Sequence, residues 1–279
     1  MADLESEVEA NEVEPILPKA EYNPLLERVI LPGSSFQLPS RGLFYKNGEL
    51  SPDVQMGEVN IHAMSAYDEI LMKTPDTLFS GEAVNIVFKR CIPQILKPFE
   101  LLAKDVDFLL VCLRQITYGD ELELTYNHFC KDDSKSHTYM VSISDFLQKT
   151  VKIDPTTLGT TYTQKLKNGQ VIHLRPTRFK DIIKMYQDSD PNKSRTPEEE
   201  LEMSVFAIKS VIEKVDEITD DKLIEEWIRK ISAGWIGELS SVIEKAGNFG
   251  PEFKYKTKCK DCGKDITIES PINPVNFFL

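Results

Sequence analysis

The chain has 279 residues, 41% of them hydrophobic, and carries 45 acidic against 33 basic side chains for a formal net charge of −12. That size and composition suit a soluble globular protein able to bury a substantial core, and the acidity argues against sequence-independent nucleic-acid binding, which needs Lys and Arg to neutralise phosphates. No run approaches the roughly 18 apolar residues of a membrane span, and the chain does not open with a basic region leading into an apolar one, so the expectation is no membrane and a protein that stays in the cytoplasm of the cell that makes it.

Residues 1–30 read as an acidic, flexible tail: Asp3, Glu5, Glu7, Glu9, Glu12 and Glu14 precede Pro15 with no Lys or Arg among them, a composition that favours solvation over packing. Residues 31–56 read as an extended arm, because Pro32, Gly33, Pro39, Gly42 and Pro52 leave little room for a helix. Such an arm must lie on the body of the protein or on a neighbour. Its apolar residues Leu43, Phe44 and Tyr45 are candidate partner-binding anchors.

A short strand is predicted around Val59 and Ile61, then a helix capped by Ser65 with acids in its first turn. Helices are predicted over Gly81–Cys91, ended by Pro93, and over Lys104–Tyr118, whose apolar run from Phe108 to Ile116 is broad enough to be buried on more than one side. Gly119 stops the latter, and strands at Leu122–Tyr126 and Thr138–Ile143 flank the segment Cys130-Lys131-Asp132-Asp133.

Beyond Asp154-Pro155 the pattern restarts. Asn168-Gly169 marks a hairpin between Tyr162–Leu166 and Val171–Leu174, and a helix follows at a Thr177 cap. Laid without a gap on the earlier segment, Gly169 falls on Gly57, Val171 on Val59, Thr177 on Ser65 and Phe179 on Tyr67. Helices are expected over Pro197–Lys214, Asp220–Ile231 and Gly234–Ala246. Then Phe249-Gly250-Pro251-Glu252 matches Tyr118-Gly119-Asp120-Glu121, and a strand leads to Cys259-Lys260-Asp261-Cys262-Gly263. The reading is α+β: two similar, mostly helical halves with small β-hairpins, related by internal duplication over residues 57–150 and 151–270, each about 110 residues and within domain range. They are joined through a zinc-ribbon-like β-ribbon. Residues 271–279 form an apolar C-terminal anchor in which Phe277 and Phe278 are further partner-binding candidates.

Two cysteines two residues apart, after a strand and before a glycine, can grip zinc from one side. Cys130 stands where Cys259 does, and Asp133 where Cys262 does, so the candidate metal set is Cys130, Cys259, Cys262 and Asp133. His128 and His137 lie close by and offer imidazole, which structural zinc prefers to carboxylate. Cys91 and Cys112 sit in apolar helical patterns and read as buried thiols acting as small hydrophobes. The histidines are scattered, and no phosphate-binding glycine loop, nucleophile elbow or His-Glu-x-x-His helix is present, so no catalytic residues are assigned and the chain does not read as an enzyme. Trp227 and Trp235 read as core or interface anchors.

The segments Leu38-Pro39-Ser40-Arg41-Gly42-Leu43-Phe44-Tyr45, Ile61 to Lys73, Lys89-Arg90-Cys91-Ile92 and Ile116-Thr117-Tyr118-Gly119-Asp120-Glu121, with the ribbon cysteines, resemble the T4-like bacteriophage baseplate hub assembly family over most of the chain after about residue 30. The resemblance implies a phage tail protein whose partners are other baseplate or hub proteins. It would be either a component of the virion baseplate or an assembly factor in the host cytoplasm. Family members often carry two cysteine pairs, from which Asp133 departs. The alternative is a zinc-ribbon regulatory protein contacting nucleic acid or the transcription machinery, which would show a basic face.

Overall fold

The computed structural model describes residues 33–130, 133–187 and 196–269. The arm pairs with the body at once: β1 (Ser34–Gln37) runs antiparallel to β2 (Glu58–Ile61), with Ser34 opposite Ile61 and Gln37 opposite Glu58. Alternation along β2 turns Val59 and Ile61 inward. Helix α1 (Ala66–Met72) starts in a capping box, Ser65 Oγ accepting from Asp68 N–H while the Asp68 carboxylate accepts from Ser65 N–H. Then come α2 (Pro75–Phe79), α3 (Glu82–Cys91) and α4 (Ala103–Tyr118), the last burying Val106 and all of Phe108–Leu113, as its broad apolar run predicts. Strands β3 (Glu121–Cys130) and β4 (Asp133–Ser142) form one long hairpin whose final pair is Cys130 with Asp133. The second strand ends one residue short of the predicted Ile143. Ser142 Oγ accepts from Asp145 N–H and so caps α5 (Ile143–Gln148).

The second half holds α6 (Leu158–Thr161), β5 (Thr163–Lys165), β6 (Val171–Leu174), α7 (Phe179–Gln187), α8 (Pro197–Val211), β7 (Ile212–Val215), α9 (Asp221–Lys230), α10 (Ala233–Ala246) and the hairpin β8 (Lys254–Lys258) with β9 (Asp265–Glu269). Two of its boundaries differ from expectation by more than a residue or for a tertiary reason. The helix predicted to reach Lys214 stops at Val211, because Ile212–Val215 pairs with β6 as the third strand of the sheet β5-β6-β7. The helix predicted to start behind a Thr177 cap begins instead at Phe179: Arg178 is held in a β-bridge to Leu102, and Asp181 Oδ2 accepts from Arg178 N–H at 3.2 Å. All named strand pairs among the described residues are antiparallel, which with ten α-helices gives a mixed α/β molecule.

Two apolar cores result. The first gathers β2, α1, α3, α4 and the β3–β4 hairpin around Phe88, Leu109 and Leu113, and it also takes Cys259, Ile266 and Ile268 from the C-terminal hairpin. The second gathers the three-stranded sheet and α8–α10 around Ile172, Leu174 and Leu239, with Trp227 and Trp235 partly buried against it. Cys91 and Cys112 are buried in the first, where desolvation pushes the Cys91 thiol up to about 12.

The cores are tied by a buried polar clasp. Arg178 is 4% exposed. Its guanidinium donates to Glu49 Oε2 at 3.0 Å, to the carbonyl and Oε2 of Glu100 at 2.6 and 3.1 Å, and to the Phe44 carbonyl at 3.0 Å. Beside it, the fully buried Asp105 accepts from Ser40 N–H at 3.0 Å and from the Tyr45 hydroxyl at 2.7 Å, while Leu102 N–H donates to that hydroxyl at 3.0 Å. Burial raises the Asp105 carboxyl from 3.8 to about 6, against the lowering effect of the Ser40 and Tyr45 hydrogen bonds.

Replacing Arg178 by Ala strands Glu49 in the interior and is expected to cost about 3–5 kcal/mol, read as a lower urea midpoint at pH 7. For Asp105, the raised folded-state value means that its stabilising contribution is complete below its ordinary 3.8 and is lost as the pH climbs to about 6. Urea titrations of wild type and Asp105→Asn at pH 4 and pH 7 should therefore differ. The wild type is expected to lose more stability over that interval, by at most about 3 kcal/mol.

Candidate functional site: an apolar groove

An apolar groove of about 680 Å³ opens where α2, α4 and α7 meet the approach to the C-terminal hairpin. Its walls come from Leu78 and Phe79 of α2, Val106 and Leu110 of α4, Ile183 and Tyr186 of α7, and Phe249 and Phe253 before β8. That volume lies inside the range of about 300–1,000 Å³ usual for binding pockets.

Local sequence explains the construction. Gly81 sits at φ +76 between α2 and α3, and a Cβ there would lie 2.9 Å from Ile183 Cγ1 and 3.0 Å from a Phe99 ring atom. Only a glycine permits both the turn and the close approach of α7. Beneath the groove, Phe99 stacks on Phe179 with ring centroids 5.9 Å apart. The rim is aromatic and open to solvent, with Phe79 64% and Tyr186 65% exposed. Lys104 Nζ lies 3.7 Å from Asp107 Oδ2 on the wall, and desolvation holds the Asp107 carboxyl above its ordinary range. Aromatic residues exposed at the edge of an apolar trough are the ordinary signature of a contact surface.

The residues expected to bind partners from the arm are seated on the chain itself. Leu43, Phe44 and Tyr45 pack against the second core and Tyr45 also against the first. The Phe44 ring lies 4.7 Å from that of Tyr162. Phe277 and Phe278 lie outside the described residues. At the ribbon, the two hairpins lie against one another: the Tyr139 hydroxyl donates to the Lys258 carbonyl at 3.4 Å, and Lys260 Nζ bonds the Thr138 carbonyl. Cys259 is buried with Sγ 3.7 Å from His137 Nε2, which is itself 3.7 Å from Asp261 Oδ2; Cys262 is half-buried. The side chains of Cys130 and Asp133 fall outside the described residues. Among the described residues no group of three or more His, Cys, Asp or Glu side chains is arranged to hold a metal ion. The thiol–imidazole pair is nonetheless of the donor type that zinc prefers.

Nothing in the sequence pattern singled out Phe79, Ile183 or Tyr186. Their only signal is an apolar residue on a helix, which reads as core until the partner helices are placed.

Among the described residues no helix is long and apolar enough to cross a membrane. Small sheets and short helices, locked by polar ties, present an apolar trough. A family model described as T4 bacteriophage base plate protein matches residues 49–279, and the chain belongs to that family. Neither a curated protein nor a solved structure matches it.

Because Phe79 and Tyr186 are mostly exposed, Phe79→Ser and Tyr186→Ser should each leave the unfolding midpoint within about 0.5 kcal/mol of wild type. A larger loss would mean that these rings serve the core.

Proposed function

We propose that this chain is a component or assembly factor of the phage baseplate hub, acting by protein contact and without catalysis, and that the apolar groove is a principal contact surface. The observation that carries the reading is the pair of exposed rims, Phe79 and Tyr186, over an apolar floor, in a chain of a base plate family. Partners are other baseplate or hub proteins, met in the virion tail or in the host cytoplasm during assembly. The family match lends no support to a nucleic-acid regulator.

The duplication is part of the same proposal. The matched glycines share backbone conformation, with φ +73 at Gly57 and +92 at Gly169, and +92 at Gly119 and +98 at Gly250. Strand β2 before α1 is mirrored by β6 before α7, and β3–β4 by β8–β9. In this reading the domains are the repeats 57–150 and 151–270, and their two hairpins form the shared ribbon. A structural zinc held by Cys259 and Cys262, with Cys130 and Asp133 from the first hairpin or His137 in place of the aspartate, would fasten the ribbon.

Mass spectrometry of purified virions and of lysate decides between the two roles: stoichiometric presence in virions makes the chain a baseplate component, and abundance in lysate alone makes it an assembly factor. Affinity capture from infected cells is expected to recover tail proteins, and the double substitution Phe79→Asp with Tyr186→Asp to reduce that recovery at least tenfold. Recovery of no tail protein, with infectivity untouched by the substitutions, would sink the proposal. Metal analysis of the purified chain is expected to give about one zinc per molecule, falling in Cys259→Ser together with the melting temperature. Zinc below a tenth of stoichiometric would remove the metal from the reading.

A further inference from the structure

We infer that the outer face of the C-terminal hairpin is a second contact surface, which receives an extended acidic segment of a partner protein along a row of three lysines. The inference rests on the chain acting by protein contact and names the chemistry of one partner element.

The row is built by alternation. In Lys254-Tyr255-Lys256-Thr257-Lys258 every second side chain of β8 points the same way. The three lysines are exposed, whereas Tyr255 is half-buried against the first core. Across the ladder from Tyr255 and Thr257 stand the buried Ile268 and Ile266, so the inner face of the hairpin is held from behind. The lysines therefore ride on a packed strand and not on a loop. A rise of about 3.4 Å per residue sets them about 7 Å apart. From Lys254 to Lys264 the chain holds five lysines and a single acid, Asp261, its densest positive stretch.

These charges are poorly answered from within the hairpin. Lys254 Nζ lies 3.8 Å from Glu252 Oε1. Thr267 stands opposite Lys256 and Asp265 opposite Lys258, yet among the described residues the ammonium groups of Lys256 and Lys258 take part in no ion pair or hydrogen bond. Lys260, by contrast, is turned back over the Tyr139 ring, 4.9 Å from its centroid.

Charge complementarity picks the occupant. The chain as a whole carries a net charge of −12, so a carboxylate-bearing segment is repelled from most of the surface and drawn to this row, which fixes where it lands and along which axis. An extended segment with a carboxylate at every second residue repeats at the same spacing of about 7 Å, so each acid meets one lysine. A nucleic acid fits less well: its phosphates continue past the row into the negative field of the body, and three lysines release few counterions. Phe253, a wall of the apolar groove, immediately precedes Lys254, so the row continues the contact surface already described.

The test uses a fluorescein-labelled decapeptide of alternating glutamate and threonine, titrated by anisotropy at low salt into the full-length wild type and into full-length Lys254→Gln, Lys256→Gln, Lys258→Gln. The wild type is expected to bind at least about fivefold more tightly, since the variant lacks three exposed charge pairs of modest strength. The difference should vanish at about 1 M salt, where screening acts within about 3 Å. Coupling with a carbodiimide, which joins a peptide carboxylate to a lysine amine as an amide, should mark Lys254, Lys256 or Lys258 and so locate the site. Equal affinity for the two chains, binding to neither, or coupling mainly at lysines outside the hairpin would overturn the inference. So would tighter binding of a decathymidylate strand than of the peptide, which would give the row to a nucleic acid. Failure here with intact capture of tail proteins removes only the lysine row, whereas loss of that capture strikes the baseplate reading itself.

Discussion

A buried guanidinium governs the rest of the molecule. Arg178 reaches Phe44 and Glu49 on one stretch and Glu100 before α4 on another, so with its own segment three parts of the chain far apart in sequence are held at one point. A charge placed this deep is tolerated only when its donors are satisfied, which is why each of these contacts is needed for the others to be favourable. The planar fork of arginine supplies several donors in a fixed geometry, and a lysine would bring a single point of charge. The neighbouring Asp105 and Tyr45 do the same for the arm, converting a proline-rich strap with little core of its own into part of the fold. The groove inherits its shape from this clasp, because Arg178 sets the start of α7 and α7 supplies Ile183 and Tyr186.

Much of the element layout was legible because it is local. Gly81, Gly119 and the Asn168-Gly169 turn are punctuation with a steric cause, and α3 and α4 begin and end within a residue of where spacing and breakers place them. The misreadings arise where tertiary contacts override local preference. Ile212 continues an apolar helical pattern, yet it is claimed by the free edge of β6; periodicity alone does not separate the two outcomes. Asp105 looks like an acid placed in a first turn to suit the helix dipole, and it is in fact fully buried and bonded to the arm. The groove was illegible for the same reason, its walls being drawn from both halves and meaningless until those halves are packed.

The ribbon shows an intermediate case. The paired frames at Cys130 and Cys259 suggested that two hairpins meet, and β4 does lie against the knuckle after β8 through Tyr139, His137 and Lys260. The contact is carried in part by Ile266 and Ile268 entering the first core. A strand alternating inward and outward reveals which residues face a core, and it is silent about which core that is.

That last detail bears on how the chain is made. The first core opens with Leu38 and is closed by residues up to Ile268, 230 residues downstream, so its largest non-local contacts form only when nearly all of the described chain has been synthesised. A chain cut short of β9 would leave that core without Ile266 and Ile268, and so with an open apolar face.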